Sequence, residues 1–150
     1  MRLQDVMTAK VRTIAPTASA DEAWNMMRLH GIHHLVVAEE HRPIGILSDR
    51  DAGSRRGAAV RVNKAVGDLM TAPAVTAAPT MTIRQAANMM RGRSIGCLVV
   101  VDSGRPVGIV TVSDLLEVVG GGVDRGATNA RRILNHRVPH KKVHTAVRAW

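Results

Sequence analysis

Two short stretches place a hydroxyl three residues before a carboxylate: Gly45-Ile46-Leu47-Ser48-Asp49-Arg50-Asp51 and Gly108-Ile109-Val110-Thr111-Val112-Ser113-Asp114. Both read glycine, apolar, any residue, Ser or Thr, two residues, Asp. At a helix start this spacing brings hydroxyl and carboxylate together. The backbone N–H groups there lack intrahelical partners and favour an anion such as phosphate. The hydroxyl can add a hydrogen bond to that phosphate. The carboxylate can accept two hydrogen bonds from vicinal ribose hydroxyls, as an acidic residue does in dinucleotide folds. Ser/Thr-x-x-Asp is also an ordinary capping pattern, and from one copy alone capping is the favoured reading.

The copies are not isolated. Asp5-Val6-Met7-Thr8 matches Asp68-Leu69-Met70-Thr71, Asn25-Met26-Met27-Arg28 matches Asn88-Met89-Met90-Arg91, and Leu35-Val36-Val37 matches Leu98-Val99-Val100. Arg42-Pro43 matches Arg105-Pro106. At one constant offset, about 22 of 47 aligned positions are identical, which marks a duplicated supersecondary unit. The elements that must position the two motifs follow from the shared pattern. A short extended stretch spans residues 11–14, or 75–77 in the second copy, and Pro16 or Pro79 ends it. Ser19-x-x-Glu22 and Thr82-x-x-Gln85 then start helices with capping-box spacing. Ala23, Met26 and Met27, like Ala86, Met89 and Met90, recur at helical intervals and read as core. These helices should end near Gly31 and near residues 92–94. Apolar strands follow, joined by hairpin turns before Arg42 and Arg105, and each closing motif should then open a second helix. The expected class is α/β (α+β): two β-α-β-β-α repeats as a pseudo-two-fold pair, at residues 1–60 and 61–120. Residues 52–67 connect them, with a mobile turn expected around Gly53 and Gly57.

Composition limits the alternatives. A chain of 150 residues makes one compact domain, and neither half is large enough to bury much surface alone. Trp24 and Trp150 are the only aromatics, so stacking platforms for single-stranded nucleic acid are absent. Cys97 is the one cysteine, which excludes an intrachain disulfide and fits a reducing compartment. It aligns with His34 and reads as a small buried hydrophobe rather than a reactive thiol. No apolar signal core or membrane-length run is present, so a cytoplasmic protein is expected. The net charge is +9, but residues 121–150 hold seven Lys or Arg against Asp124 alone. The basic character therefore belongs mainly to the tail.

Taken together, the tandem Asp-x-Met-Thr leads, the Leu-Val-Val strands, the Arg-Pro turns and the closing Gly-h-x-Ser/Thr-x-x-Asp motifs resemble a pair of cystathionine-β-synthase (CBS) domains, a Bateman module. The resemblance covers roughly residues 3–119. It implies clefts between the repeats that bind AMP, ADP, ATP, and in some members S-adenosylmethionine or NADH. It also implies ribose contacts from Asp51 and Asp114 and phosphate contacts from Ser48 and Thr111. The adenine side would be formed by Val11, Thr13, Ile14, Ile32, His33 and His34, and by Ala74, Thr76, Ala77, Ile95, Gly96 and Cys97. The family often has a proline before the paired valines, which Leu35 and Leu98 replace. Because His33-His34 faces Gly96-Cys97 in the alignment, the clefts should differ in polarity. Lys10, Arg12, Arg50, Arg91 and Arg93 are candidate phosphate partners, although a solvated surface charge is the favoured reading of each. By the same resemblance the module should form a homodimer and signal to an effector protein through conformational change.

No nucleophile–base pair or phosphate loop of the Walker kind occurs, so an enzyme is not expected. No metal is expected either. His33 and His34 point to opposite faces if they lie on a strand, and Pro139 interrupts any helix that would align His136, His140 and His144. Residues 121–150 lie outside the resemblance. They read as a solubilising basic tail, partly helical or disordered: short helices fit residues 130–136 and 143–150, and Ile133, Leu134, Val138, Val143, Val147 and Trp150 could dock it on the module or a neighbouring subunit. The alternative function is an interaction or nucleic-acid-binding protein whose basic tail contacts phosphates, with the repeat pair as scaffold.

Overall fold

In the computed structural model of the chain, residues 1–121 are described. The first copy runs α1 (Leu3–Val6), β1 (Thr13–Ile14), α2 (Ala20–His30), β2 (His34–Glu39), β3 (Arg42–Ser48) and a short α3 (Ala58–Arg61). The second runs α4 (Val66–Leu69), β4 (Thr76–Ala77), α5 (Ile83–Arg93), β5 (Cys97–Asp102), β6 (Arg105–Thr111) and α6 (Val112–Gly121). The tail helices expected from sequence lie outside the described residues.

The expected helix starts form. Ser19 Oγ accepts the Glu22 N–H at 3.1 Å. Thr82 Oγ1 accepts the Gln85 N–H at 3.2 Å, and Gln85 Oε1 accepts the Thr82 N–H at 3.0 Å, closing the full capping box in the second copy. Both helices end on a left-handed residue, Gly31 at φ +63 and Ser94 at φ +53.

Each copy forms a three-stranded mixed sheet. β1 pairs parallel with β2, and β2 antiparallel with β3; β4, β5 and β6 repeat the arrangement. The register shifts between Val37 and Ala38, and at the equivalent step between Val100 and Val101. Both hairpins close through two residues with positive φ, Glu40 and His41 or Ser103 and Gly104, as the twist of a tight hairpin requires. Leu35, Val36 and Val37 are all fully buried, so β2 is covered on both faces and its apolar run is continuous rather than alternating. β3 touches β6, so the two sheets meet.

The copies exchange their leads. Leu3 of α1 is fully buried in the core of the second copy, beside Ala86, Met90, Leu98 and Val110. Val66 of α4 is fully buried in the core of the first, with Trp24, Met27, Leu35 and Leu47. Reciprocal backbone bonds fix both crossings: Thr8 with Ile109 at 2.9 and 3.0 Å, and Thr71 with Ile46 at 2.8 and 3.0 Å. The exchange explains the motif glycines. A Cβ on Gly108 would strike the Met7 side chain, and one on Gly45 would lie 2.7 Å from Met70 Sδ and 2.9 Å from the Thr71 carbonyl oxygen. Residues 1–118 accordingly form one compact unit containing both copies.

Two local expectations are corrected. The second closing motif opens a helix, α6, but the first does not: residues 49–56 are turns. Gly53 and Ser54 adopt φ +85 and +54, which end the helical path after Ala52. The stretch expected to be a mobile turn is also pinned. Gly53 and Gly57 cross so closely that a Cβ on either would strike the other's backbone. The buried Arg61 guanidinium holds the carbonyls of Ala52 and Ser54.

Candidate functional site

β3 and β6 each deliver a hydroxyl at the strand end and a carboxylate three residues later. The two motifs form the same closed ring. The Ser48 N–H donates to Asp51 Oδ2 at 3.1 Å, and the Asp51 N–H donates to Ser48 Oγ at 3.0 Å. The Thr111 N–H donates to Asp114 Oδ2 at 2.8 Å, and the Asp114 N–H donates to Thr111 Oγ1 at 3.3 Å. Capping and ligand binding are therefore compatible. Each hydroxyl accepts from the backbone and retains its own proton to donate, while the ring fixes the carboxylate's orientation.

The lead exchange decides what lies beside each motif. The Thr71 hydroxyl, from the second copy, donates to Asp51 Oδ2 at 3.5 Å. Ala74 is tied to the same sheet, its N–H donating to the Ile44 carbonyl at 3.1 Å. The antiparallel Thr8–Ile109 bridge sets Thr8 against β6 two residues before Thr111, and the chain beyond it, with Val11 half-buried, runs away from the Thr111 end. Each closing motif thus faces the lead segment of the other copy. Sequence reasoning identified Asp-x-Met-Thr as a repeat marker but missed this role, because nothing local encodes which sheet a lead will join.

The base-side residues separate into two environments. His33 lies just before β2 and pairs through Nδ1 with Asp49 Oδ2 at 2.9 Å, while the Asp49 N–H donates to the His33 carbonyl. The Asp49 hydrogen bond raises the His33 imidazole above its ordinary value, against burial. Burial pushes the Asp49 carboxyl up, but the His33 bond and charge, with the Arg50 backbone N–H and the His34 charge, together hold the group below the usual carboxylate range. The second copy has Gly96 and Val112 at these positions and no such pair. His34 is half-buried at the start of β2, opposite Ser48. Burial lowers its imidazole, and the charges of Asp49, Asp51 and Asp114 pull the other way. Its counterpart Cys97 is buried, and burial with the nearby Asp114 charge pushes its thiol up to about 12. The thiol stays neutral at physiological pH, in keeping with a packing role. Ile32 and Ile95 are half-buried just before these positions, Gly96 is exposed, and Thr76 and Ala77 lie farther along β5, opposite Val99 and Val100.

Among the charged candidates, Arg50 lies within the first closing motif, and Lys10 and Arg12 lie on the approach to β1. Arg91 and Arg93 occupy the last turn of α5, where cations favour the carbonyl end. All five are exposed, and none forms an ion pair among the described residues. Thr13 and Ile14 line a cavity with Ala15, Ala38, His41, Arg105 and Pro106. That cavity lies at the hairpin ends of the strands, whereas Ser48 and Thr111 occupy the opposite ends. It is therefore separate from the two motifs. Among the described residues no group of three or more His, Cys, Asp or Glu could hold a metal ion.

This duplicated fold, with its paired closing motifs, defines a tandem CBS-domain module. The CBS domain family profile matches residues 3–52 and 66–121, and the chain belongs to that family. It is 32% identical over 114 residues to the CBS domain-containing protein YhcV of Bacillus subtilis, covering 75% of this chain and 81% of that protein. It is also 32% identical to an inosine-5'-monophosphate dehydrogenase of Korarchaeum cryptofilum, but spans only 23% of that enzyme. Among solved structures, the CBS domain pair of protein MJ0100, in complex with 5'-methylthioadenosine and S-adenosyl-L-methionine, matches with a TM-score of 0.72. Identity there is 28%, covering 81% of this chain and 97% of that one. No helix among the described residues is long and apolar enough to cross a membrane.

Proposed function

We propose that this chain is a regulatory module that binds adenosine-containing ligands in two clefts, each built from both repeats. Asp51 and Asp114 hold the ribose, and Ser48 and Thr111 approach the phosphate or the equivalent 5' substituent. The observation that carries this reading is the reciprocal Ser/Thr–Asp ring, present in both copies and faced in each by the other copy's lead. The Ser48 N–H and the Thr71 hydroxyl both donate to Asp51 Oδ2, so Oδ1 is the oxygen assigned to a ribose hydroxyl. The MJ0100 pair, with its two adenosine-derived ligands, supports the ligand class. AMP, ADP, ATP and S-adenosylmethionine are the candidates. A ligand that bridges the two repeats shifts their packing, and that shift is the signal passed to an effector protein. The module acts in the cytoplasm without catalysing a reaction. It self-associates as a homodimer, to which the exposed Val112 and Leu116 on one face of α6 offer apolar surface.

Titration calorimetry with the four ligands tests this reading, together with thermal melts. At a hundredfold excess over Kd, a bound ligand stabilises the fold by about 2.7 kcal/mol. Neither heat nor stabilisation with any of the four would remove the reading. Salt-sensitive DNA or RNA binding, lost on deleting residues 121–150, would instead support the tail-centred alternative.

A further inference from the structure

We propose that Arg61 is the positioning residue that holds Asp51 in its cleft, a task α6 performs for Asp114. This rests on the ribose role assigned to Asp51 above. In the second copy, Asp114 is followed by Leu115 and Glu117 inside a continuous helix, whose own N–H groups take up the carbonyls. In the first copy no helix forms, because residues 49–56 are turns with positive φ at Gly53 and Ser54, and the carbonyls of Ala52 and Ser54 lack those donors. Arg61 replaces them: its Nη1 donates to the Ala52 carbonyl at 2.6 Å and to the Ser54 carbonyl at 2.9 Å. A guanidinium suits this task because it stays charged and its donors are fixed in a plane.

The clamp is itself anchored. The guanidinium lies over the Trp24 ring at 4.4 Å, and Nε donates to Asp21 Oδ1 at 3.3 Å. Both partners belong to α2, so the turn carrying Asp51 is tied to the first copy's helix. Arg61 is only 5% exposed, although Arg is almost never buried without a dedicated partner set. Ala52, bonded on one side to Asp51 and on the other held by this contact, is fully buried in the core. The position equivalent to Arg61 in the second copy is the acid Asp124, which lies outside the described residues. The clamp therefore makes the Asp51 cleft separately sensitive to the connector between the repeats.

Arg61→Gln and Arg61→Lys, each combined with Asp114→Ala or Asp51→Ala, test this with AMP as probe. In the Asp114→Ala background, which leaves the Asp51 cleft, Arg61→Gln should weaken AMP binding by about tenfold or more, as loss of a charged hydrogen bond does. Arg61→Lys should recover part of that loss. In the Asp51→Ala background, Arg61→Gln should leave AMP affinity unchanged. Equal loss in both backgrounds would show a general structural role and overturn the proposal, as would no loss in either. Hydrogen exchange provides an arm that needs no ligand. The amides of Ala52, Gly53 and Ser54 should exchange faster in Arg61→Gln while those of residues 112–118 do not change; unchanged exchange at 52–54 would overturn the clamp. If wild type binds no AMP yet the exchange pattern holds, the ligand reading fails and the clamp stands.

Discussion

Asp51 and Asp114 close the same ring with Ser48 and Thr111, but the side chains around the two motifs differ. The pair formed by His33 and Asp49 exists in one copy only, and it titrates. A raised His33 stabilises the fold fully below the ordinary histidine value, and that contribution is lost as pH rises through the raised value. A lowered Asp49 stabilises above the ordinary carboxylate value, and that contribution is lost as pH falls through the lowered one. The pair therefore contributes most between those two ordinary values. His34, held neutral by burial, works in the opposite sense and costs stability as acid charges it. The His33–Asp49 pair is well exposed on both sides, so screening limits it to a few tenths of a kcal/mol. Thermal melts of His33→Gln should fall further below wild type at pH 5.5 than at pH 8.5. A gap that is constant across that range would contradict the pairing.

At the scale of elements, the strand runs, hairpins and helix starts were legible in sequence because each is a local or periodic signal. Ser19 and Thr82 cap where their spacing implied, and the Leu-Val-Val runs form the central strands. The turn at residues 49–56 was not legible by the same means. The closing motif there equals that of the second copy through Asp51, but its continuation depends on Arg61 and on the Gly53–Gly57 crossing. The motif glycines are the sharpest element-level case, since their reason lies in the other repeat. The atoms nearest a Cβ on Gly45 include the backbone oxygen of Thr71, whereas the three nearest one on Gly108 all belong to the Met7 side chain. Gly45→Ala should thus cost more, about 1–3 kcal/mol for an overpacked site. Urea denaturation of both variants measures the difference. Adding Met7→Ala should relieve part of the Gly108→Ala cost, while Met70→Ala should leave the Thr71 clash in Gly45→Ala unrelieved.

For the whole molecule, the duplication supplied the architecture and the paired motifs, while the exchange of leads had to come from three-dimensional packing. Leu3 and Val66 carry no mark of which core they enter. Their placement makes the repeats depend on each other. Leu3→Ala, at the far end of the chain, should destabilise the second repeat's core by about 2–5 kcal/mol, as large-to-small core changes do. Urea unfolding of residues 1–121 should then be a single transition. A segment of residues 66–121 alone, lacking Leu3, should give a poorly dispersed amide spectrum; a well-dispersed one would refute the interdependence. The exchange also sets the lead of one repeat beside the closing motif of the other, so a ligand in the proposed clefts would act on the packing of both. Binding stoichiometry tests this most directly, measured by equilibrium dialysis with saturating AMP or S-adenosylmethionine on wild type, Asp51→Ala and Asp114→Ala. Two sites per chain are expected in the wild type, and one remaining site in each variant. Stoichiometry and affinity unaffected by either substitution would contradict ribose-holding carboxylates in paired clefts.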